Sequence, residues 1–252
     1  MIKISTVIIA KNAEQIIADC LDSVSFCNEI IVVDNNSEDR TTELAEKMGA
    51  KVYESSSVNF SELRNYGLRK TLGEWILYID ADERVSENLQ KNIKLAINTE
   101  SNEIVAYKVK RKNFYFGKHE WPYIEHLERL FKKKNLIGWY GKLHESPKFE
   151  GEFSELDGLL LHFTHADLVS MVDKTVEWSK IEAELRYNSG HPKMTWWRFP
   201  RVMMTAFFNS YVKQKGWKAG TAGLVESMYQ SFSMFITYAR LWEMQQKNQK
   251  SI

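Results

Sequence analysis

An α/β fold, with a mostly parallel sheet, helices on both faces and a C-terminal helical extension, is predicted by three observations. Short apolar, β-branched runs alternate with segments of helical spacing through residues 1–100. Runs so spaced are joined most simply by right-handed βαβ crossovers. Acidic and amide residues gather just after the runs, where an open parallel sheet presents its ligand-binding edge.

Residues 3–10 are aliphatic and β-branched and read as the first strand. Residues 14–24 set Ile16, Ile17, Cys20, Leu21 and Val24 at helical spacing. The second strand is 29–34 (EIIVVD), followed by a helix over 39–48 that Gly49 stops. A third strand covers 51–54, a helix covers 61–71 ahead of Gly73, and the fourth strand is 74–80 (EWILYID). Residues 86–97 form a helix with Leu89, Ile93, Ala96 and Ile97 on one face and Ser86 as its N-cap. Further on, 104–110 alternates like a strand, and 113–123 is aromatic and irregular and reads as a loop. Segments 128–132, 136–140 and 156–163 are further strand candidates. From residue 167 the chain reads as helical. Met171, Trp178, Ile181 and Leu185 share one face, and Leu224, Met228, Phe232, Phe235, Ala239 and Trp242 form an amphipathic stripe.

The net charge of +1 conceals an asymmetry. Residues 190–252 hold nine Lys or Arg and two acids, a balance of +7. Between Pro192 and Lys218 these cations interleave with tryptophan, phenylalanine and tyrosine. That pattern suits an anionic membrane surface; the alternative is that the aromatics pack against the body of the protein. No nucleic-acid-binding motif accompanies it, so nucleic acid is not an expected partner. No run approaches the ~18 apolar residues of a spanning helix, and the first ten residues lack the features of a signal peptide. The expected location is cytoplasmic, peripheral on the inner face of the cell membrane. Cys20 and Cys27 fit no metal-ligand pattern and read as small, reduced, buried residues.

Asp80-Ala81-Asp82-Glu83 follows the fourth strand. Two carboxylates one residue apart at a strand end can hold one hard divalent ion, Mg²⁺ or Mn²⁺, shared with phosphate oxygens. Asp34, ahead of Asn35-Asn36-Ser37, ends the second strand on the same edge. It can accept from a uracil or ribose, or cap the turn that follows, or both. Arg64 lies in the third helix, where its fork can reach a diphosphate. Neither a G-x-G-x-x-G nor a G-x-x-x-x-G-K-[ST] motif is present. A nucleotidyltransferase would need a glycine-rich loop where this chain has AKNAE. A haloacid-type phosphatase would carry its D-x-D after the first strand. A sugar-nucleotide-binding protein without turnover is the non-enzyme alternative.

Taken together, STVIIAKNAE, EIIVVDNNSED, FSELRNYGL and GEWILYIDADER resemble the inverting family-2 glycosyltransferases. ERLFKKKNLIGWYGKLHES, the first histidine of LLLHFTH and the closing YARLWE resemble their lipopolysaccharide-core glucosyltransferase group. The resemblance implies a GT-A fold, a Rossmann-like sheet joined to an acceptor half. It implies a catalytic domain over 1–165, divided at residue 100, and an extension over 166–252. The implied reaction moves a hexose, glucose in that group, from a UDP-sugar donor to a lipid-linked glycan acceptor such as lipopolysaccharide core. A polysaccharide or protein acceptor is the alternative. Asp80 and Asp82 match the metal-binding D-x-D, Asp34 the nucleoside contact, and Arg64 the basic residue of the R-N-x-G helix. Ala10 and Asn12 to Glu14 stand where the first loop lines the uridine. Asn35-Asn36-Ser37 replaces a common Ser-Gly-Ser, which leaves the base contact at Asn35 open. An inverting transfer needs a carboxylate base, and Glu145 is the candidate. His144 either completes the metal shell or orients Glu145; the alternative is that the pair caps a loop. Glu128 and Arg129 are the reserve. His162 and His165 do not share a strand face and read as core or loop residues.

Overall fold

The computed structural model describes residues 3–98, 103–141, 145–164 and 167–247. The chain divides into two compact units, Met1–Lys112 with Glu125–His162, and Asn113–Ile124 with Phe163–Ile252.

The first unit begins as the alternation predicts. β1 (Ile4–Ala10), α1 (Ile17–Ser23), β2 (Glu29–Asp34), α2 (Thr41–Lys47), β3 (Lys51–Glu54), α3 (Phe60–Lys70) and β4 (Trp75–Asp80) follow in order. A short β5 (Glu83–Val85) leads to α4 (Glu87–Asn98), where the Ser86 hydroxyl accepts from Leu89 N at 3.4 Å. Then come β6 (Ile104–Tyr115), β7 (His119–Lys132), β8 (Leu136–Tyr140), β9 (Ser146–Phe149) and β10 (Glu152–Phe163). Eight strands form one sheet in the order β3-β2-β1-β4-β7-β6-β10-β5, and β8 pairs with β9 apart from it. β1 pairs in parallel with both β2 and β4, whereas β4 meets β7 antiparallel.

Alternate residues of the buried strands serve opposite faces, as a period of two requires. Ile4, Ile8 and Ala10 join α1 and α4 in one core cluster. Val7, Ile9, Val33, Ile76 and Tyr78 join Leu63 of α3 and Trp139 of β8 in the other. Helix α3 lies very close to the sheet. A Cβ on Gly67 would come within 2.4 Å of the Val7 side chain, so only glycine permits the approach.

Residues 113–123 are not a loop. β6 and β7 continue through them as the two arms of a hairpin around Phe116 and Gly117, both at positive φ (51° and 73°). Lys118 N donates to Tyr115 O at 3.2 Å and closes the turn. Phe-Gly is a weak turn signal beside Asn-Gly, which is why the aromatic run looked irregular.

In the second unit, α5 (Leu168–Asn188) starts at Asp167, whose side chain accepts from Ser170 N at 2.8 Å in a capping box. α6 (Arg198–Phe208) runs on through a π turn, and α7 (Gly220–Lys247) packs against α5 and α6. The stripe from Leu224 to Trp242 does not form the core here. Five of its six residues are exposed, and α7 instead buries Gly223, Ser227, Ser231, Thr237 and Tyr238. α5 likewise buries Met171, Thr175, Ser179 and Ala183, while Trp178 is exposed. Small residues let the backbones approach closely, and a Cβ on Gly223 would lie 1.9 Å from Gly216 O.

Candidate active site

The carboxyl ends of β1, β2 and β4 are adjacent because β1 lies between the other two. At the first two ends the polar residues knit the loops together. Asp34 is buried, with Oδ2 accepting from Ser37 N at 2.9 Å and Oδ1 from the Ser37 hydroxyl. Asn12 N donates to that same hydroxyl at 2.9 Å, and Asn12 Oδ1 accepts from Glu38 N at 2.8 Å. Asn12 sits at φ 49°, a conformation asparagine tolerates well. Ala10 O accepts from Asn35 N at 2.8 Å, and Asn35 Oδ1 accepts from Ser57 N at 3.1 Å. Glu14 Oε2 accepts from Arg40 N at 3.2 Å. Asp34 therefore caps its turn, and each carboxylate oxygen retains a second lone pair.

The end of β4 carries the densest charge. Arg64 is 3 % exposed. Its Nη2 donates to Asp80 Oδ1 at 2.8 Å and its Nε to Glu145 Oε1 at 2.9 Å. The guanidinium lies over the Trp139 ring, 4.8 Å from its centroid. Its Nη1 is buried and has no hydrogen-bond partner among the described residues. Each residue of the R-N-x-G turn has a separate task. Arg64 reaches the carboxylates, Asn65 grips the Trp139 backbone with two 2.8 Å hydrogen bonds, and Gly67 admits β1.

On its other side Asp80 Oδ2 accepts from Arg129 Nη2 at 3.1 Å. Arg129 also donates to Glu83 Oε1 at 2.9 Å, and Arg111 reaches the same oxygen at 3.1 Å and Glu125 at 2.7 Å. Glu83 Oε2 accepts from Asp80 N at 2.9 Å, locking the D-x-D-E turn. Burial alone would raise the Asp80 carboxyl, but Arg64 and then Arg129 outweigh it and hold the group well below the usual carboxylate range. Both Asp80 oxygens are thus engaged by arginines. Asp82 points elsewhere, with Oδ2 3.2 Å from His162 Nε2.

Of the predicted residues, Arg64, Asp80 and Glu145 converge directly, and Asp82 meets His162 beside them. His144 and His165 lie outside the described residues. Among the described residues no three His, Cys, Asp or Glu side chains stand together as a closed metal cage. A divalent ion shared with substrate phosphates needs only one or two protein ligands, and the Asp82–His162 pair fits that demand. Glu83, Arg111, Asn65, Trp139 and the pairing role of His162 escaped the reading of the sequence. Strand phase carried a signal for two of them. Arg111 continues the buried Tyr107 and Val109 by steps of two, and His162 continues Leu156 and Leu160.

The chain is similar to several known proteins. A Rhizobium meliloti lipopolysaccharide core biosynthesis glycosyltransferase, LpsC, is 27% identical over 95% of this chain and 92% of its own length. An uncharacterised glycosyltransferase of Rickettsia typhi is 29% identical over 100% and 91%. Staphylococcus aureus TarS 1-349, solved in complex with UDP, aligns over 98% of this chain and 92% of that one. Its TM-score is 0.52 at 16% identity, which identifies the fold as GT-A-like α/β. Residues 5–151, from β1 to the end of β9, match the profile of Glycosyl transferase family 2. A match over more than half the chain, carrying the D-x-D turn and the arginine that grips it, makes this protein a member of glycosyl transferase family 2.

Proposed function

We propose that the chain transfers a hexose, glucose by its resemblance, from a UDP-sugar to a hydroxyl of a lipid-linked glycan at the inner face of the cell membrane, with inversion at the anomeric carbon. The observation that carries this reading is Arg64, buried between Asp80 and Glu145 with one N–H pair unmatched among the described residues. An orphan guanidinium donor beside a D-x-D turn suits a diphosphate oxygen. In the proposed step Glu145 takes the proton of the acceptor hydroxyl, whose oxygen bonds to the anomeric carbon. The bond from that carbon to the diphosphate breaks, and Arg64 offsets the charge of the leaving group. Asp82 and His162 would hold Mg²⁺ or Mn²⁺, which supplies further charge neutralisation to the diphosphate. Asp80 acts mainly by fixing Arg64 and Arg129. Asp34, Asn12 and Asn35 line the nucleoside side. The name of LpsC supports a core-oligosaccharide acceptor, and the UDP complex of TarS supports the donor class.

Thermal melting with UDP, GDP, CDP and ADP, each with and without Mn²⁺, tests the donor. A ligand at ~100 times its dissociation constant stabilises by about 2.7 kcal/mol. A shift for UDP that needs Mn²⁺ is expected. Asp82→Ala should abolish that dependence and lower UDP release from UDP-glucose by at least about a hundredfold, with the ligand-free melting point unchanged. Full turnover in Asp82→Ala would overturn the metal assignment.

A further inference from the structure

In the helical unit many of the helix contacts are made by small and hydroxyl-bearing residues. Along α7 the buried positions Gly223, Ser227 and Ser231 recur every four residues, and along α5 Thr175, Ser179 and Ala183 do the same. Polar bonds join these faces. The Tyr229 hydroxyl meets Thr175 and Met171 O, Ser227 meets Ser210 at 2.9 Å, and Ser231 donates to Met203 O. Small residues at four-residue steps with hydroxyl cross-links are how helices associate where the surroundings are as apolar as the side chains. Tyr229, Tyr238 and Leu241 are buried too, but the other large apolar residues of α7 lie along an adjoining stripe. Leu224, Met228, Phe232, Phe235 and Trp242 are all exposed, Met228 at 58%. At 100° per residue they fall within one stripe, about 27 Å long, and between Thr221 and Ala239 the single charged residue, Glu226, is buried.

We infer that this stripe of α7, with the neighbouring π turn (Asn209–Lys213) and a 3₁₀ turn (Gly216–Ala219), lies in the headgroup region of an anionic phospholipid bilayer. Charge selects that occupant. Residues 187–225 hold six Lys or Arg and no acid. Lys218 sits 5.4 Å from the Trp217 ring, and Arg198 and Arg201 flank the Trp197 ring at 5.3 and 5.9 Å, with both tryptophans exposed. Exposed indoles beside cations match the boundary between acyl chains and anionic headgroups. A second copy of the chain is a worse partner, because a two-fold contact uses the same patch on both copies and would gather two sets of these cations at one interface. No described helix is long and apolar enough to cross a membrane, so the stripe lies in the plane of the interface. Beside charge, the choice of a lipid surface rests on the proposed lipid-linked acceptor; the exposed stripe does not.

The test is co-sedimentation of the full chain with phosphatidylcholine vesicles and with vesicles that also contain phosphatidylglycerol. The chain should bind the second kind preferentially. The triple substitution Leu224→Ser, Met228→Ser, Phe232→Ser should weaken that binding by more than about tenfold. Replacing Lys213, Lys215 and Lys218 by Ser should weaken it by about fivefold per lysine while sparing the residual affinity for neutral vesicles. Melting curves and the UDP-dependent shift of both variants should match the parent, which separates failure of the face from failure of the catalytic reading. A parent chain that ignores vesicles, or a triple variant that binds as the parent does, overturns the inference. A parent dimer that the triple variant converts to monomer, without vesicle binding, assigns the face to a second copy instead.

Discussion

The two units solve the packing problem in opposite ways. The sheet unit buries Val, Ile, Leu and aromatic side chains in two clusters and brings its polar residues to the strand ends. Among the described residues the helical unit has one small core cluster, Ala183, Met194, Tyr238 and Leu241, and many of its other helix contacts run through serine, threonine and glycine. In the first, apolar periodicity marks the core. In the second, the same periodicity marks a surface. An amphipathic pattern specifies only that one face differs from the other; whether the apolar face meets protein or another medium is decided by what the opposite face can do. On α7 the adjoining face, Gly223, Ser227 and Ser231, is small enough to bring the backbones together.

A large effect should come from the buried charge cluster at the end of β4. Arg64→Met removes the guanidinium that joins Asp80 to Glu145 and leaves both carboxylates facing each other across an apolar side chain. Breaking a fully buried pair costs about 3–5 kcal/mol; with the Asp80 side chain 29% exposed, about 2–4 kcal/mol is expected. Urea denaturation measures the loss. Arg64→Lys should recover little of it, since an ammonium cannot span the two carboxylates as the fork does. A stability loss under about 1 kcal/mol for Arg64→Met would show that the cluster is solvated and not a buried network.

The helical unit has its own buried charge, and it behaves differently. Glu226 is 1% exposed; Oε1 accepts from Gln230 at 2.7 Å and Oε2 has no partner among the described residues. Burial pushes its carboxyl up to about 7, and the Gln230 hydrogen bond offsets only part of that. The folded state therefore binds the Glu226 proton more tightly than the unfolded state. Its contribution to stability is fully present below about pH 4.5, is lost as pH rises towards 7, and stays lost above. Glu226→Gln should thus be more stable than the parent at pH 8 by roughly 3 kcal/mol. The two should converge near pH 4.5. Denaturation curves at the two pH values measure the difference, and a gap independent of pH would assign Glu226 another partner.

The contrast between the units also explains how far the sequence could be read. β1, β2, β3 and β4 and their helices were legible because short β-branched runs and helical spacing recur without interruption, and the strand-end rule then singled out Asp34, Asp80 and Asp82. Convergence of Arg64 with Glu145 depends on β8 lying over α3, a contact between residues 81 apart in the chain, and no local pattern encodes it. Glu83 and Arg111 were harder, since a charge in phase with a buried strand face announces burial without naming its partner. The hairpin over residues 113–123 was lost to a turn with weak local chemistry. On α7 the stripe itself was legible from Leu224 to Trp242, while its exposure was not, because Gly223, Ser227 and Ser231 look unremarkable until three helices are assembled around them.

The smallest effects sharpen the comparison most. At Ser227, buried between α7 and the π turn and bonded to Ser210, a leucine has no room. Ser227→Leu is expected to destabilise by about 1–3 kcal/mol despite its greater hydrophobicity, by overpacking and by stranding the Ser210 hydroxyl. Phe232, one residue beyond the next buried serine, is 43% exposed, and Phe232→Ser should change stability in solution by no more than about 0.5 kcal/mol. In the sheet unit the order is reversed, and Ile8→Ser, at 0% exposure, should cost several times as much as any polar change at its surface. If Phe232→Ser instead cost as much as a core substitution, the stripe would be packed in solution and the two units would obey one rule. If it is silent in buffer yet weakens binding to anionic vesicles, the phenylalanine serves a surface that only the membrane supplies.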